Sequence, residues 1–269
     1  MAGAAVKPAP FDYRAPTSLE DALSLLGDDS TVLAGGQSLV PLLNLRLARP
    51  EVVIDVNGIA ELDYIHADDG PLRIGALTRQ AALERSELVA RGWPLLSKAV
   101  RHVGHPQIRS RGTVGGSIAH ADPAAELPAV LVALGARLHL RTSTGARAIE
   151  ASAFFLGPLY TVRRPDELLV EIEVPVQPEG AGSGFAEHAR THGDFATAGA
   201  AAVVAPGYAG IALFGAGPVP ARAEAAERAL AGEASPSEAA VLAAQDVEDE
   251  HRRALCTELA RRAIEEATP

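Results

Sequence analysis

Two short stretches pair adjacent glycines with hydroxyl residues, Ala34-Gly35-Gly36-Gln37-Ser38 and Thr113-Val114-Gly115-Gly116-Ser117. A glycine pair tolerates positive φ and bares successive peptide N–H groups, and a helix beginning just beyond adds partial positive charge. Such a corner binds phosphate. Two of them, each read as following a strand and preceding a helix, would hold a diphosphate from both sides, with Ser38, Thr113 and Ser117 as neutral hydroxyl donors. Each stretch by itself is equally a tight turn, and the residues alone leave both readings open.

Other chemistry-bearing groups are less organised. GQSLV at 36–40 lacks the last glycine of a nucleophile elbow. GAGPVPA at 215–221 keeps two glycines of a dinucleotide fingerprint but sets prolines where the helix should begin, so it reads as a turn. His102, His105, His120 and Asp122 gather around the second glycine pair, and imidazole with carboxylate is a usual metal-ligand set. Their irregular spacing on different segments favours surface or loop histidines, and no metal site is expected. Trp93 and Tyr64 are expected in the core or at its rim. No nucleophile stands beside a base, so no catalytic side chain is assigned.

The elements that must position these groups follow from hydrophobic periodicity. SLEDALSLLGDD, capped by Ser18, predicts a helix, and TVLAGG a strand that runs into the first glycine pair. SLVPLLNLRLARP is helix-like between prolines, and EVVIDV at 51–56 is a buried strand. LRIGAL predicts a strand, TRQAALERSELVAR one helix with Thr78 as its N-cap, and PLLSKAVRHV another. HPQIRSRGTVGG reads as irregular, with a helix in ADPAAELPAVLVAL after it. ARLHLRTS and RAIEAS flank a TG turn, and DELLVEIEVPV at 166–176 alternates as a strand exposed on one side. QPEGAGSGF at 177–185 is the best boundary candidate; beyond it, strands at FAEHARTHGDFATAGAAAVVA and GIALFGAG precede amphipathic helices.

Composition narrows the function classes. The 269 residues carry a formal net charge of -10, and the only lysines are Lys7 and Lys98, which excludes a nucleic-acid surface. The single cysteine, Cys256, excludes an internal disulfide and any multi-thiolate cluster from this chain. The opening MAGAAVKPAPFDY has no apolar signal core and no stretch approaches a membrane span, so no integral membrane segment and a cytoplasmic location are expected.

The strings AGGQSLVPLLNLRLARPEVVIDVN, IGALTRQAALERS, HVGHPQIRSRGTVGGSIAHADPAAELPAVLVALGA, FFLGPLYT, RPDELLVEIEVP and RTHGDFATAGAAA occur in this order. From Phe11 to about Ala229 the chain thereby resembles the FAD-binding medium subunit of molybdenum hydroxylases, the flavoprotein of the carbon monoxide dehydrogenase and xanthine dehydrogenase family. The resemblance implies an α+β fold. An FAD-binding domain of the vanillyl-alcohol-oxidase and p-cresol-methylhydroxylase type would form two subdomains, 1–56 and 57–176, followed by a smaller α+β domain at 183–269 with an antiparallel sheet and helices.

It further implies that the two glycine loops grip the FAD diphosphate, through Leu33, Ala34, Gly35, Gly36, Gln37 and Ser38 on one side and Thr113, Val114, Gly115, Gly116 and Ser117 on the other. Glu126 falls where the family has an acid near the flavin's sugar or ribityl hydroxyls. Val103 takes a position where some members set an aromatic ring against the cofactor, and Ser117 replaces the asparagine of many relatives. Leu168 or Leu169 would line the isoalloxazine, with residues 188–194 near its edge.

The implied partners are a molybdopterin-binding large subunit and a [2Fe-2S] small subunit, as a dimer of heterotrimers, with electrons passing from the clusters through FAD to an external acceptor. The flavin itself does the redox chemistry, so the absence of a catalytic acid or nucleophile fits. A stand-alone FAD-dependent oxidase or monooxygenase on the same fold is the alternative, and an assembly protein with purely structural turns a third.

Overall fold

The computed structural model describes residues 7–268 apart from 69 and 192. Residues 1–6 of the opening stretch and His192 of the 188–194 segment lie outside the described residues. The chain opens with β1 (Asp12–Arg14), α1 (Leu19–Ser24), β2 (Ser30–Leu33), α2 (Leu39–Asn44) and β3 (Val52–Asp55), whose strands form a parallel sheet in the order β1-β3-β2. Parallel neighbours need crossovers, which the two short helices supply. The Ser18 hydroxyl accepts the Asp21 N–H at 3.2 Å and starts α1, whose Leu19, Ala22 and Leu23 form its buried stripe.

The next run is β4 (Ile65–His66), β5 (Leu72–Gly75), α3 (Gln80–Arg85), α4 (Glu87–Gly92), α5 (Pro94–Val100), α6 (Pro106–Arg111), α7 (Val114–His120), α8 (Glu126–Ala133), β6 (Arg137–Arg141) and β7 (Ala146–Glu150). A small hairpin, β8 (Phe155–Gly157) and β9 (Tyr160–Thr161), then leads to β10 (Leu168–Val174). The second sheet is antiparallel in the order β4-β5-β10-β6-β7. β10 is its centre rather than a half-exposed strand, which is why Leu168, Leu169 and Val170 are all buried.

The last sheet is antiparallel, β11 (Gly182–His188), β12 (Ala198–Ala205), β13 (Tyr208–Phe214) and β14 (Ala221–Arg222), followed by α9 (Glu224–Ala231), α10 (Pro236–Ala243) and α11 (Glu250–Ala267). Alternation along β12 sends Ala201 and Val203 into the central core and Ala198, Ala200 and Ala202 into the core beneath α9–α11. All eight residues of α8 are buried, because it packs against β12, β13 and β14 of the third sheet and against α5 and α7, and ELPAVLVA accordingly has no polar face. No helix among the described residues is long and apolar enough to cross a membrane.

Three local expectations change. TRQAALERSELVAR is two helices, broken at Ser86, whose hydroxyl accepts the Val89 N–H and restarts the chain as α4. Thr78 caps nothing; its hydroxyl donates to the Tyr64 carbonyl at 2.8 Å. HPQIRSRG is not irregular but contains α6, with Pro106 in the first turn where its missing N–H costs nothing. Gly182 and Gly184 of the Gly-rich stretch are strand residues, and a Cβ on either would strike the carbonyl of Ala267 or Ala263, so they let α11 close on β11. The GAGPVPA segment is a turn, with Gly215 at φ +66 donating its N–H to the Pro123 carbonyl.

Candidate functional site

A cavity of about 610 Å³ is walled by the loop after β2, the start of α7, the start of α8 and the start of β10. Its volume suits a cofactor-sized ligand. All but two of the residues assigned from sequence reach its wall: Ala34, Gly35, Gly36, Gln37, Ser38, Val103, Thr113, Gly115, Gly116, Ser117, Glu126, Leu168 and Leu169. The two that do not are Leu33, half-buried at the end of β2, and Val114, which is fully buried in the core beneath α7.

The first glycine loop is the expected strand–turn–helix corner. β2 ends at Leu33, Gly36 adopts φ +75, and α2 follows. The carbonyls of this loop are tied back: the Asn57 amide donates to the Ala34 carbonyl at 2.8 Å and the Gln37 amide to that of Gly35 at 3.2 Å. The N–H groups of Gly35, Gly36, Gln37 and Ser38 have no acceptor among the described residues, and the Ser38 hydroxyl makes no capping bond to α2. Successive unsatisfied donors on a cavity wall call for an anionic acceptor.

The second stretch differs from the expectation. Gly115 and Gly116 do not follow a strand; they form the first turn of α7, and their N–H groups are committed. Val114 donates to the Thr78 carbonyl and Gly115 to that of Ala76, both at 2.9 Å; the Gly116 N–H goes to the Thr113 hydroxyl at 3.0 Å, and Ser117 to the Thr113 carbonyl at 3.1 Å. Thr113 is therefore an N-cap, a signal present in its place three residues ahead of Gly116.

The two glycines do different jobs. A Cβ at Gly115 would lie 2.5 Å from the Ala76 Cβ and 2.7 Å from its carbonyl oxygen, so this glycine lets α7 press on the chain after β5. A Cβ at Gly116 would stand 3.9 Å from the Ala34 Cβ, so this one faces the first loop. The second stretch contributes close approach and the Ser117 hydroxyl, not a row of free N–H groups.

The wall around Val103 is held by an ion pair. Arg109 of α6 is 7% exposed, grips Glu84 through two bonds of 2.8 and 3.1 Å, and donates to the carbonyls of Val103 and Gly104 at 3.2 and 3.1 Å. A buried arginine fixed in this way positions the aliphatic wall rigidly. At β10 the pairing with β6 shifts register between Leu169 and Glu171, and both Leu168 and Leu169 reach the cavity.

Glu126 opens α8 at 7% exposure. Burial pushes its carboxyl from the ordinary 4.5 up to about 7; Glu187 and Asp122 add to the rise, whereas its own N–H and His102 oppose it. His102 Nδ1 lies 3.0 Å from Glu187 Oε1, and that contact raises the imidazole pKa against its burial.

A folded-state carboxyl pKa above the unfolded value contributes stability that is fully present below about pH 4.5 and is lost as pH rises through about 7. The flavin-free chain is therefore expected to lose on the order of 3 kcal/mol between those limits. Thermal unfolding across this range should show the loss, and Glu126→Gln should remove that part of the slope; an unchanged slope would assign it elsewhere.

Sequence reasoning placed His120 and Asp122 among surface or loop groups, yet both line the cavity, with burial depressing the His120 pKa. Of the 188–194 segment, Gly193 and Asp194 reach the wall, whereas His188 is exposed and does not. Phe195, at 71% exposure, and Arg163 also line it and were not singled out. His139, Glu171 and Glu173 bring ligand atoms within 4.8 Å of one another, but Arg73 already bridges both carboxylates, at 2.8 and 2.9 Å.

A family described as "FAD binding domain in molybdopterin dehydrogenase" matches residues 9–177. The 6-hydroxypseudooxynicotine dehydrogenase complex subunit alpha of Paenarthrobacter nicotinovorans is 47% identical over 202 residues, 74% of this chain and 68% of that one. The carbon monoxide dehydrogenase medium chain of Hydrogenophaga pseudoflava is 39% identical over 245 residues, 88% of this chain and 85% of that one. A solved structure of carbon monoxide dehydrogenase from the same organism, lacking the Mo-pyranopterin moiety, superposes with a TM-score of 0.90 at 39% identity, covering 97% of this chain and 98% of that one. With over half its length matched, the chain belongs to the family of FAD-binding domains of molybdopterin dehydrogenases.

Proposed function

We propose that this chain is the FAD-carrying electron-transfer subunit of a heteromeric molybdenum hydroxylase. The observation that carries the reading is the row of four N–H groups, Gly35 to Ser38, unpaired among the described residues and set opposite Gly116 and Ser117 across one cavity. These residues would hold the FAD diphosphate, with Glu126 near the sugar or ribityl hydroxyls, as acceptor when ionised or donor when protonated. Leu168, Leu169 and Val103 would flank the rings. Bound FAD supplies the two-electron to one-electron switching that such a relay needs. The protein binds and orients it and keeps water from the ring through its apolar walls.

In this reading residues 1–56 and 57–176 are the two subdomains of a vanillyl-alcohol-oxidase-type FAD domain, and 183–269 is the smaller C-terminal domain. Relatives named as subunit alpha of a dehydrogenase complex and as a medium chain support assignment to a larger assembly. The partners would be a molybdopterin-binding large subunit and a [2Fe-2S] small subunit, as a dimer of heterotrimers in the cytoplasm, with electrons running from the clusters through FAD to an external acceptor.

Purification from the native host tests the assignment. Two unlike chains bearing molybdenum and iron–sulfur absorbance should accompany this one, and the isolated chain should oxidise no organic substrate. Substrate turnover by the isolated chain with oxygen would replace this reading with that of a stand-alone oxidase.

A further inference from the structure

Among the described residues lining the cavity, Arg163 is the one arginine or lysine. It follows β9, and its Nη1 donates to the carbonyls of Arg164 and Glu167 at 3.0 and 2.8 Å. Among the described residues no carboxylate pairs with it; the nearby Glu167 is taken by Arg147, through bonds of 2.5 and 2.7 Å. Burial lowers its pKa, yet a guanidinium stays charged in proteins. The charge of Glu167 acts on it, but that carboxylate is already engaged by Arg147, so a cation drawn partly out of water is incompletely compensated and this part of the wall is set to receive negative charge.

Two parts of a bound FAD carry such charge: the diphosphate, and the flavin ring once it has taken up two electrons and one proton. Neutral donors on other elements, at residues 35–38 and 117, already serve the first. Arg163 is tethered to the carbonyl of Glu167, one residue before the Leu168–Leu169 wall assigned to the ring. Resting on the FAD reading above, we infer that Arg163 is a positioning residue for the flavin ring, one that raises its reduction potential by stabilising the negative charge of the reduced state.

The test uses the full chain loaded with FAD and reduced by dithionite against a reference dye. In Arg163→Met, oxidised FAD and ADP bind as in the wild type, while the ratio of affinities for reduced over oxidised FAD falls about tenfold, a potential lower by ~30 mV for a two-electron couple. Arg163→Lys, which keeps the charge, restores most of the difference. Arg163→Gln, which keeps a donor for the Glu167 carbonyl without the charge, is measured alongside and carries the same expectation as Met. An unchanged potential in the neutral variants overturns the inference. Equal loss of affinity for ADP and for both redox states overturns it too, assigning the cation to the diphosphate. A wild-type chain that takes up no FAD removes the underlying reading instead.

Discussion

Gly35→Ala is expected to weaken FAD binding and to lower the melting temperature of the chain. A Cβ at this position would overlap the carbonyl oxygen of Arg111 and lie 2.8 Å from the Gly112 Cα, both backbone atoms that cannot rotate aside. The contact sits inside a hydrogen-bonded tie between the two halves of the site. Arg79 donates to the Arg111 carbonyl at 2.5 Å and to Asn57 Oδ1 at 2.7 Å, and Asn57 in turn holds the Ala34 carbonyl at 2.8 Å.

Relief requires the first loop to retreat from the segment that leads into Thr113. That would spread the donors of residues 35–38 away from Ser117. Overpacking of this kind costs about 2 kcal/mol, or ~5 °C in a domain of this size. The affinity for FAD, read by titrating the flavin-free chain, should fall more than tenfold, since ~2 kcal/mol of lost binding exceeds a factor of ten. Unchanged affinity in this variant would remove the first loop from the site.

Gly116→Val separates cofactor binding from folding. Among the described residues outside the helix backbone, the one atom within 3 Å of a Cβ there is Thr113 Oγ1, at 2.6 Å, the end of a side chain that can turn away at the cost of its cap, about 1 kcal/mol. The valine methyls then occupy the space between the two loops. FAD should be lost while the circular dichroism spectrum stays that of the wild type and the melting point moves by only a few degrees. The neighbouring Gly115→Ala would instead meet the carbonyl oxygen and Cβ of Ala76 at 2.7 and 2.5 Å, and its damage should be to the fold. Normal flavin content in Gly116→Val would show that the second stretch is structural only.

Much of the architecture was legible because its signals are local. Ser18 with the Leu19-Ala22-Leu23 stripe, the buried Val-Ile run of β3 and the TG turn between β6 and β7 each announce themselves within a few residues. What was not legible depends on distant partners. That Gly115 serves packing while Gly116 faces the site follows from Ala76 and Ala34, which lie far away in sequence. Nothing local marks Arg109, and only the fold brings it to Glu84 and to the carbonyls behind Val103. The glycines at 182 and 184 read only as part of a boundary stretch, because the reason for them, the backbone of α11, comes some eighty residues later. His120, Asp122 and Arg163 reach the cavity through tertiary placement alone.

In the proposed function the donors of residues 35–38, unpaired among the described residues, and the facing Gly116–Ser117 edge form one clamp for a diphosphate. Competition between FAD and FMN for the flavin-free chain tests it most directly, because FMN has the ring and ribityl chain but only one phosphate. One FAD per chain is expected, displaced by ADP, with FMN binding at least ~100-fold more weakly, about 2.7 kcal/mol. Equal affinity for FMN and FAD, or binding indifferent to ADP, would contradict it.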